Sequence, residues 1–159
     1  EPRASSLAIR LDLAAGEVPA VRDLAPRRLA GPIRVGDAVE FRFLTDRPCA
    51  VALIDVGTSG AVNVLLPNQW SPPATVAAGQ VSLFPDAAAE FDFEPTGPLG
   101  TERVVALAWQ GELTARLAPL GDAPFRALSA VDVTELCRLI QAMPPERWSA
   151  CVTTFEVVA

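Results

Sequence analysis

The sequence predicts a mainly β protein, one β-sandwich domain over residues 1–159 with a single α-helix near its C-terminus, at about 133–142. Three observations carry that expectation. Short segments alternate apolar and polar residues at the two-residue period of a half-buried strand. Gly, Pro, Asn and Asp interrupt them at the spacing at which sandwich strands turn. One late stretch switches to the period of an amphipathic helix.

Leu7 to Leu13 places Leu7, Ile9, Leu11 and Leu13 on one face and Arg10 and Asp12 on the other, a first strand. Residues 14–34 carry Gly16, Pro19, Pro26, Gly31 and Pro32 and read as a long loop, with room for a helical turn over Val21 to Leu29. Val39, Phe41 and Phe43 then alternate with Glu40 and Arg42 up to the turn residues Asp46 and Pro48. Cys49 to Val56 is apolar on both faces until Asp55, as a central strand is. The GTSG that follows reads as a hairpin turn, and Ala61 to Leu66 as the returning strand. After a loop with Pro72 and Pro73, Val81 to Phe84 and Ala89 to Phe93 read as two short strands, Phe91 and Phe93 facing inward. Arg103 to Trp109 is a second core strand, entered through the turn at 97–100.

In the tail, Val133, Leu136, Cys137 and Ile140 fall on one helical face, Asp132 and Glu135 mark the helix start, and Pro144-Pro145 stops it. Cys151 to Val157 alternates again and closes the chain as a strand, expected to share a sheet with the first.

Half of the residues are apolar, yet no run approaches the roughly 18 apolar residues of a bilayer-spanning helix, so no membrane insertion is expected. All 13 cationic side chains are Arg, scattered along a chain of net charge −6 and pI near 4.6. That electrostatic balance argues against nucleic acid, whose phosphates require a concentrated basic surface. The chain opens at Glu1 without Met, as a fragment or a mature form does, and a cytoplasmic setting is expected. Cys49, Cys137 and Cys151 are odd in number and lack metal-ligand spacing, so they are expected to be reduced, buried thiols. Neither cofactor nor metal is expected.

The stretch from Val35 to Trp109 carries Gly36-Asp37 before a strand, Gly60 in a turn, Leu66-Pro67-Asn68 after an apolar strand, Phe84-Pro85, and Gly100-Thr101-Glu102 before a core strand. In order and spacing, these pieces resemble the bacterial family known as domain of unknown function 4384, with a family-like core over 35–109. The resemblance implies an immunoglobulin-like β-sandwich attached to other modules, among them protein kinases, caspase-like peptidases and envelope proteins. It implies no catalytic residues. Where the family more often has a Gly-Tyr-type segment, this chain has Cys49-Ala50-Val51.

Chemistry read from the residues points the same way. With no His and no Lys, neither a Ser-His-Asp nor a Cys-His arrangement nor a Lys-based variant can be built. Asp86, Glu90, Asp92 and Glu94 are close enough in sequence to consider paired acids or a Ca²⁺ site, but Glu90, Asp92 and Glu94 share one strand face and read as solvated surface. Asp55 to Gly60 lacks the GK[ST] ending of a phosphate loop.

Trp70 stands apart, in a Pro-bearing loop beside Asn68 and Gln69, as an interface anchor or as a cap on the open end of the sandwich. Trp148 is expected to plug the core against the helix, and the helix has two readings, an interface helix or, the one favoured, a lid on its own domain. The function expected is non-catalytic: a protein-interaction or scaffolding module of a bacterial multi-domain or multi-component system. Its contact residues would be Asn68, Gln69 and Trp70 in the loop and Glu90 and Asp92 on an edge. The alternative is an envelope domain that holds a glycan or peptide against Trp70.

Overall fold

The computed structural model describes residues 7–15, 32–71, 75–86, 89, 91–111 and 124–159. Among these, ten strands and one α-helix form: β1 (Ile9–Ala15), β2 (Ile33–Arg34), β3 (Val39–Thr45), β4 (Cys49–Val56), β5 (Val62–Leu66), β6 (Thr75–Val76), β7 (Ser82–Phe84), β8 (Gly100–Trp109), β9 (Arg126–Leu128), α1 (Ala130–Gln141) and β10 (Trp148–Val158). The described strands make two sheets, a smaller one in the order β1-β3-β7 and a larger one in the order β2-β10-β8-β4-β5-β9, with β6 on the start of β4. Every pairing is antiparallel except β2 with β10. The fold is therefore the mainly β sandwich that the alternation predicts.

Two apolar layers hold it together, one on each face of the larger sheet. Between the sheets lie Leu7, Ile9, Leu13, Val39, Phe41, Phe43 and Phe84 from one side and Cys49, Val51, Leu53, Val104, Ala106, Ala108, Phe155 and Val157 from the other. On the far face, Ala50, Ala52, Ile54, Leu107 and Trp109 meet Leu136 of α1, with Leu139, Ile140, Met143 and Trp148 packed around them. This second layer explains why β4 and β8 are apolar on both faces: odd-numbered residues of β4 enter the sandwich and even-numbered ones meet the helix. Ala50 and Ala52 are small enough to let α1 approach. Trp148 plugs this layer as expected, and α1 covers its own domain.

Local chemistry sets the turns. Gly36 (φ +91°) and Gly60 (φ +84°) take left-handed positions in the turns before β3 and after β4. The Gly60 N–H donates to Gly57 O at 2.9 Å and the Gly57 N–H to Ala61 O at 2.9 Å, closing the β4–β5 hairpin. The Arg34 N–H donates to the Asp37 carboxylate at 3.1 Å.

Several expectations are corrected. The first and last strands lie in different sheets. The whole of β1 is matched to β3, from Ile9 against Thr45 to Ala15 against Val39, while β10 is bonded to β8 on one edge and to β2 on the other. The two strands meet instead across the interior, where Thr153 Oγ1 donates to Leu11 O at 3.4 Å. Of the strand read over Ala89 to Phe93, the described residues form only a bridge from Phe93 to Val39, because β7 already occupies the adjoining edge of β3 at Phe41 to Phe43.

The helix begins three residues earlier than its apolar period suggested. Ser129 is the N-cap: the Asp132 N–H donates to Ser129 Oγ at 3.1 Å and the Ser129 N–H to Asp132 Oδ2 at 2.9 Å. Its inward face carries Leu139 in place of Cys137, and Cys137 is exposed, contrary to the expectation of three buried thiols. The strands β2, β6 and β9 were not foreseen. The helical turn considered at 21–29 lies outside the described residues.

Candidate functional site

Directly after β5 the chain makes a tight turn that lifts Trp70 to the surface. Pro67 and Asn68 are buried, Asn68 at 1% exposure, and its side chain serves the backbone around it. Asn68 Nδ2 donates to Leu65 O at 2.8 Å, while Oδ1 accepts the N–H groups of Trp70 and Ser71, both at 2.9 Å. Asn68 and Ser71 also exchange a pair of backbone bonds, each 3.1 Å. A short amide with both a donor and an acceptor fits this role, and neither Asp nor Ser supplies both with the same reach.

Gln69 and Trp70 form the exposed tip, and the indole is 53% exposed. Its buried side rests on Phe91, ring centroids 4.9 Å apart, and meets Phe125 edge-on at 6.0 Å. Phe91 and Phe125 each lie about one ring away from Phe84, at 6.2 Å, and Phe84 lies 6.3 Å from the fully buried Phe41. A column of aromatic rings thus runs from the hydrophobic core to a tryptophan in solvent. Such tilted and edge-on contacts each add about 0.5–1.5 kcal/mol beyond simple burial, so the indole is held in place as well as exposed.

Of the five residues expected at a contact surface, Gln69 and Trp70 are at the surface and Asn68 is beneath it, shaping the turn. Asp92 is exposed beside Phe91, so the loop and the segment around 92 do converge. Glu90 lies outside the described residues. Phe125 was not foreseen, because it follows Pro124 in a stretch without periodicity.

The structure also reveals two interior acids. Asp55 and Glu102 are 9% and 6% exposed and sit on the sandwich-facing sides of β4 and β8, in line with Leu53 and with Val104. Asp55 is matched to Val104, and Glu102 lies two residues along on the same face of β8, so the two acids are diagonal neighbours inside the sandwich. Burial, then the charge of Glu102, pushes Asp55 up to about 7, and burial raises Glu102 as well. The signal was present in the sequence, since both acids fall on the apolar parity of their strands.

Burial also raises the Cys49 thiol, and burial together with the charge of Asp12 raises Cys151 to about 11, so both are held as neutral thiols. Among the described residues, no three His, Cys, Asp or Glu side chains converge as metal ligands. No helix among them is long and apolar enough to cross a membrane.

These features define a β-sandwich domain backed by a helix and bearing a rigid aromatic patch on its surface. Residues 33–110, just under half of the chain, match the family described as Domain of unknown function (DUF4384). The matched stretch runs from β2 just past β8 and contains Trp70, Phe91 and both interior acids; β1, β9, α1 and β10 lie outside it. Neither a curated protein nor a solved structure matches the chain.

Proposed function

We propose that this domain is a non-catalytic interaction module that docks a protein partner on the patch formed by Trp70, Gln69 and the flanking Asp92. The observation that supports it is the half-exposed indole fixed on Phe91 and Phe125. An aromatic side chain that is already ordered loses little entropy on binding, which is why tryptophans so often anchor interfaces. The absence of His and Lys from the whole sequence removes the usual general bases and nucleophile partners and fits a binding role.

Within this proposal the sandwich is immunoglobulin-like and serves a bacterial multi-domain or multi-component system, with a kinase or caspase-like module as the partner that the family resemblance implies. Three free cysteines fit a reducing, cytoplasmic setting. A glycan stacked on the same indole is the second reading, favoured by the exposed ring face beside the amide of Gln69.

The test is affinity purification from the native host with wild type, Trp70→Ala and an exposed control, Val152→Ser, followed by calorimetric titration of any retained protein in pure form. Direct binding lost at least 30-fold in Trp70→Ala and kept in Val152→Ser supports the proposal. Equal binding by all three overturns the assignment of the patch. If no protein binds, a glycan array probed with wild type and Trp70→Ala decides the second reading.

A further inference from the structure

We infer that Asp55 and Glu102 act as a proton-held latch, in which a proton retained on this interior pair of acids keeps the ends of β4 and β8 together and its loss loosens the hairpin end of the sandwich. The geometry favours the proton. Two acids on diagonal positions of one interior sheet face cannot both hold a charge there, so one of them stays neutral. Both side chains are more than nine-tenths buried, and Asp55 Oδ1 has no hydrogen-bond partner. A buried oxygen left without a partner is tolerable on a neutral acid and far costlier on an anion.

The surroundings supply no compensating charge among the described residues. Across β5 the residue opposite Asp55 is Asn63, and β5 has no ionisable side chain. Across β10 the residue opposite Glu102 is Phe155. The adjacent charges, Arg103 on β8 and Glu156 on β10, alternate to the outer face and are exposed. The smaller sheet presents Val39, Phe41, Phe43 and Leu13 to the interior, while its Glu40 and Arg42 pair with each other at 3.0 Å and its Asp12 acts on Cys151. The hairpin contributes the neutral Thr58 and Ser59.

The pair sits where three elements are tied. Thr58 Oγ1 of the hairpin donates to Thr101 O at 3.0 Å, and the Thr101 hydroxyl donates to Glu156 of β10. Forcing two charges together beneath this tie pushes β4 and β8 apart at that end. The dependence on pH has a definite sign. The folded state holds a proton that the unfolded chain, with acids at their ordinary values of 3.8 and 4.5, releases. Stability is therefore fully present below about pH 4 for this pair and is lost as pH rises through the folded value near 7.

The experiment combines side-chain carboxyl ¹³C titration of labelled wild-type protein with urea unfolding and amide hydrogen exchange at pH 5 to 8.5, for wild type, Asp55→Asn and Glu102→Gln. One carboxyl of the pair should titrate above pH 6. The wild-type urea midpoint should fall across this range while that of Asp55→Asn stays flat, and exchange at Gly57 and Gly60 should accelerate above pH 7 beyond its intrinsic base dependence. Titration of both carboxyls below pH 6, or identical pH slopes for wild type and a folded Asp55→Asn, overturns the inference. If neither variant folds, the wild-type carbon titration alone decides.

Discussion

Replacing Asn68 with Ala tests how the exposed tryptophan is held. The substitution deletes three hydrogen bonds: the amide donor to Leu65 O and the acceptor for the N–H groups of Trp70 and Ser71. Ser71 N–H keeps a second partner in Asn68 O at 3.1 Å, so the main losses are at Leu65 O and Trp70 N–H. The site is buried, and each group left without a partner there costs about 1–3 kcal/mol. The expected loss is about 3 kcal/mol, and for 159 residues, at roughly 2.1 cal/mol/K of unfolding entropy per residue, that lowers Tm by roughly 9 °C.

Urea unfolding followed by circular dichroism measures the free energy, and near-ultraviolet dichroism reports whether the indole keeps its fixed setting against Phe91. Gln69→Ala, at the exposed tip of the same turn, should change stability by no more than about 0.5 kcal/mol. If Asn68→Ala costs less than about 1 kcal/mol and leaves the aromatic dichroism intact, the amide does not hold the turn and the case for a pre-ordered anchor fails.

Two further substitutions probe the scaffold. Gly100 opens β8 at φ +131°, and a Cβ there would meet Thr58 Cγ2 at 2.7 Å, so Gly100→Ala should destabilise by about 2–3 kcal/mol in thermal unfolding. Adding Thr58→Ser, which removes the clashing methyl and keeps the hydroxyl, should recover part of that loss; no recovery would mean that backbone strain alone sets the cost. Leu136→Ala removes the most buried side chain of α1 from the layer containing Ala50, Ala52 and Trp109, with an expected cost of about 2–4 kcal/mol and a red shift of buried tryptophan emission; an unchanged urea midpoint would show that the helix does not brace the sheet.

What the sequence made legible follows from how many residues carry each signal. The eight residues of β4 are read to both boundaries because Asp46, Pro48 and Gly57 bracket an unbroken apolar run. The two- and three-residue strands β2, β6 and β9 offer too few side chains for any period, and their pairing partners lie far away in sequence. Alternation shows that β1 and β10 each bury one face, but it is silent on which neighbour takes each edge; the backbone match of β1 to β3 decides that. At the helix, the apolar period locates the docked face and misses the start, because Ser129 caps through hydrogen bonds and not through burial. Trp70 was legible as an oddity in its loop, whereas its supports were half hidden: Phe91 through alternation, Phe125 through nothing local.

The division of the larger sheet bears on what the family segment is. β8 lies within residues 33–110, and along its whole length one edge is bonded to β10, which lies outside them, just as α1, which roofs Ala52 and Leu107, does. A cut at the family boundary would strip a ten-residue strand of its hydrogen-bonding partner and bare the apolar far face of the sheet, the combination that leads exposed strands to aggregate. The shared segment is thus an unfinished sheet, and the unit of folding and of inheritance need not coincide: here the tail of the same chain completes what the family core leaves open.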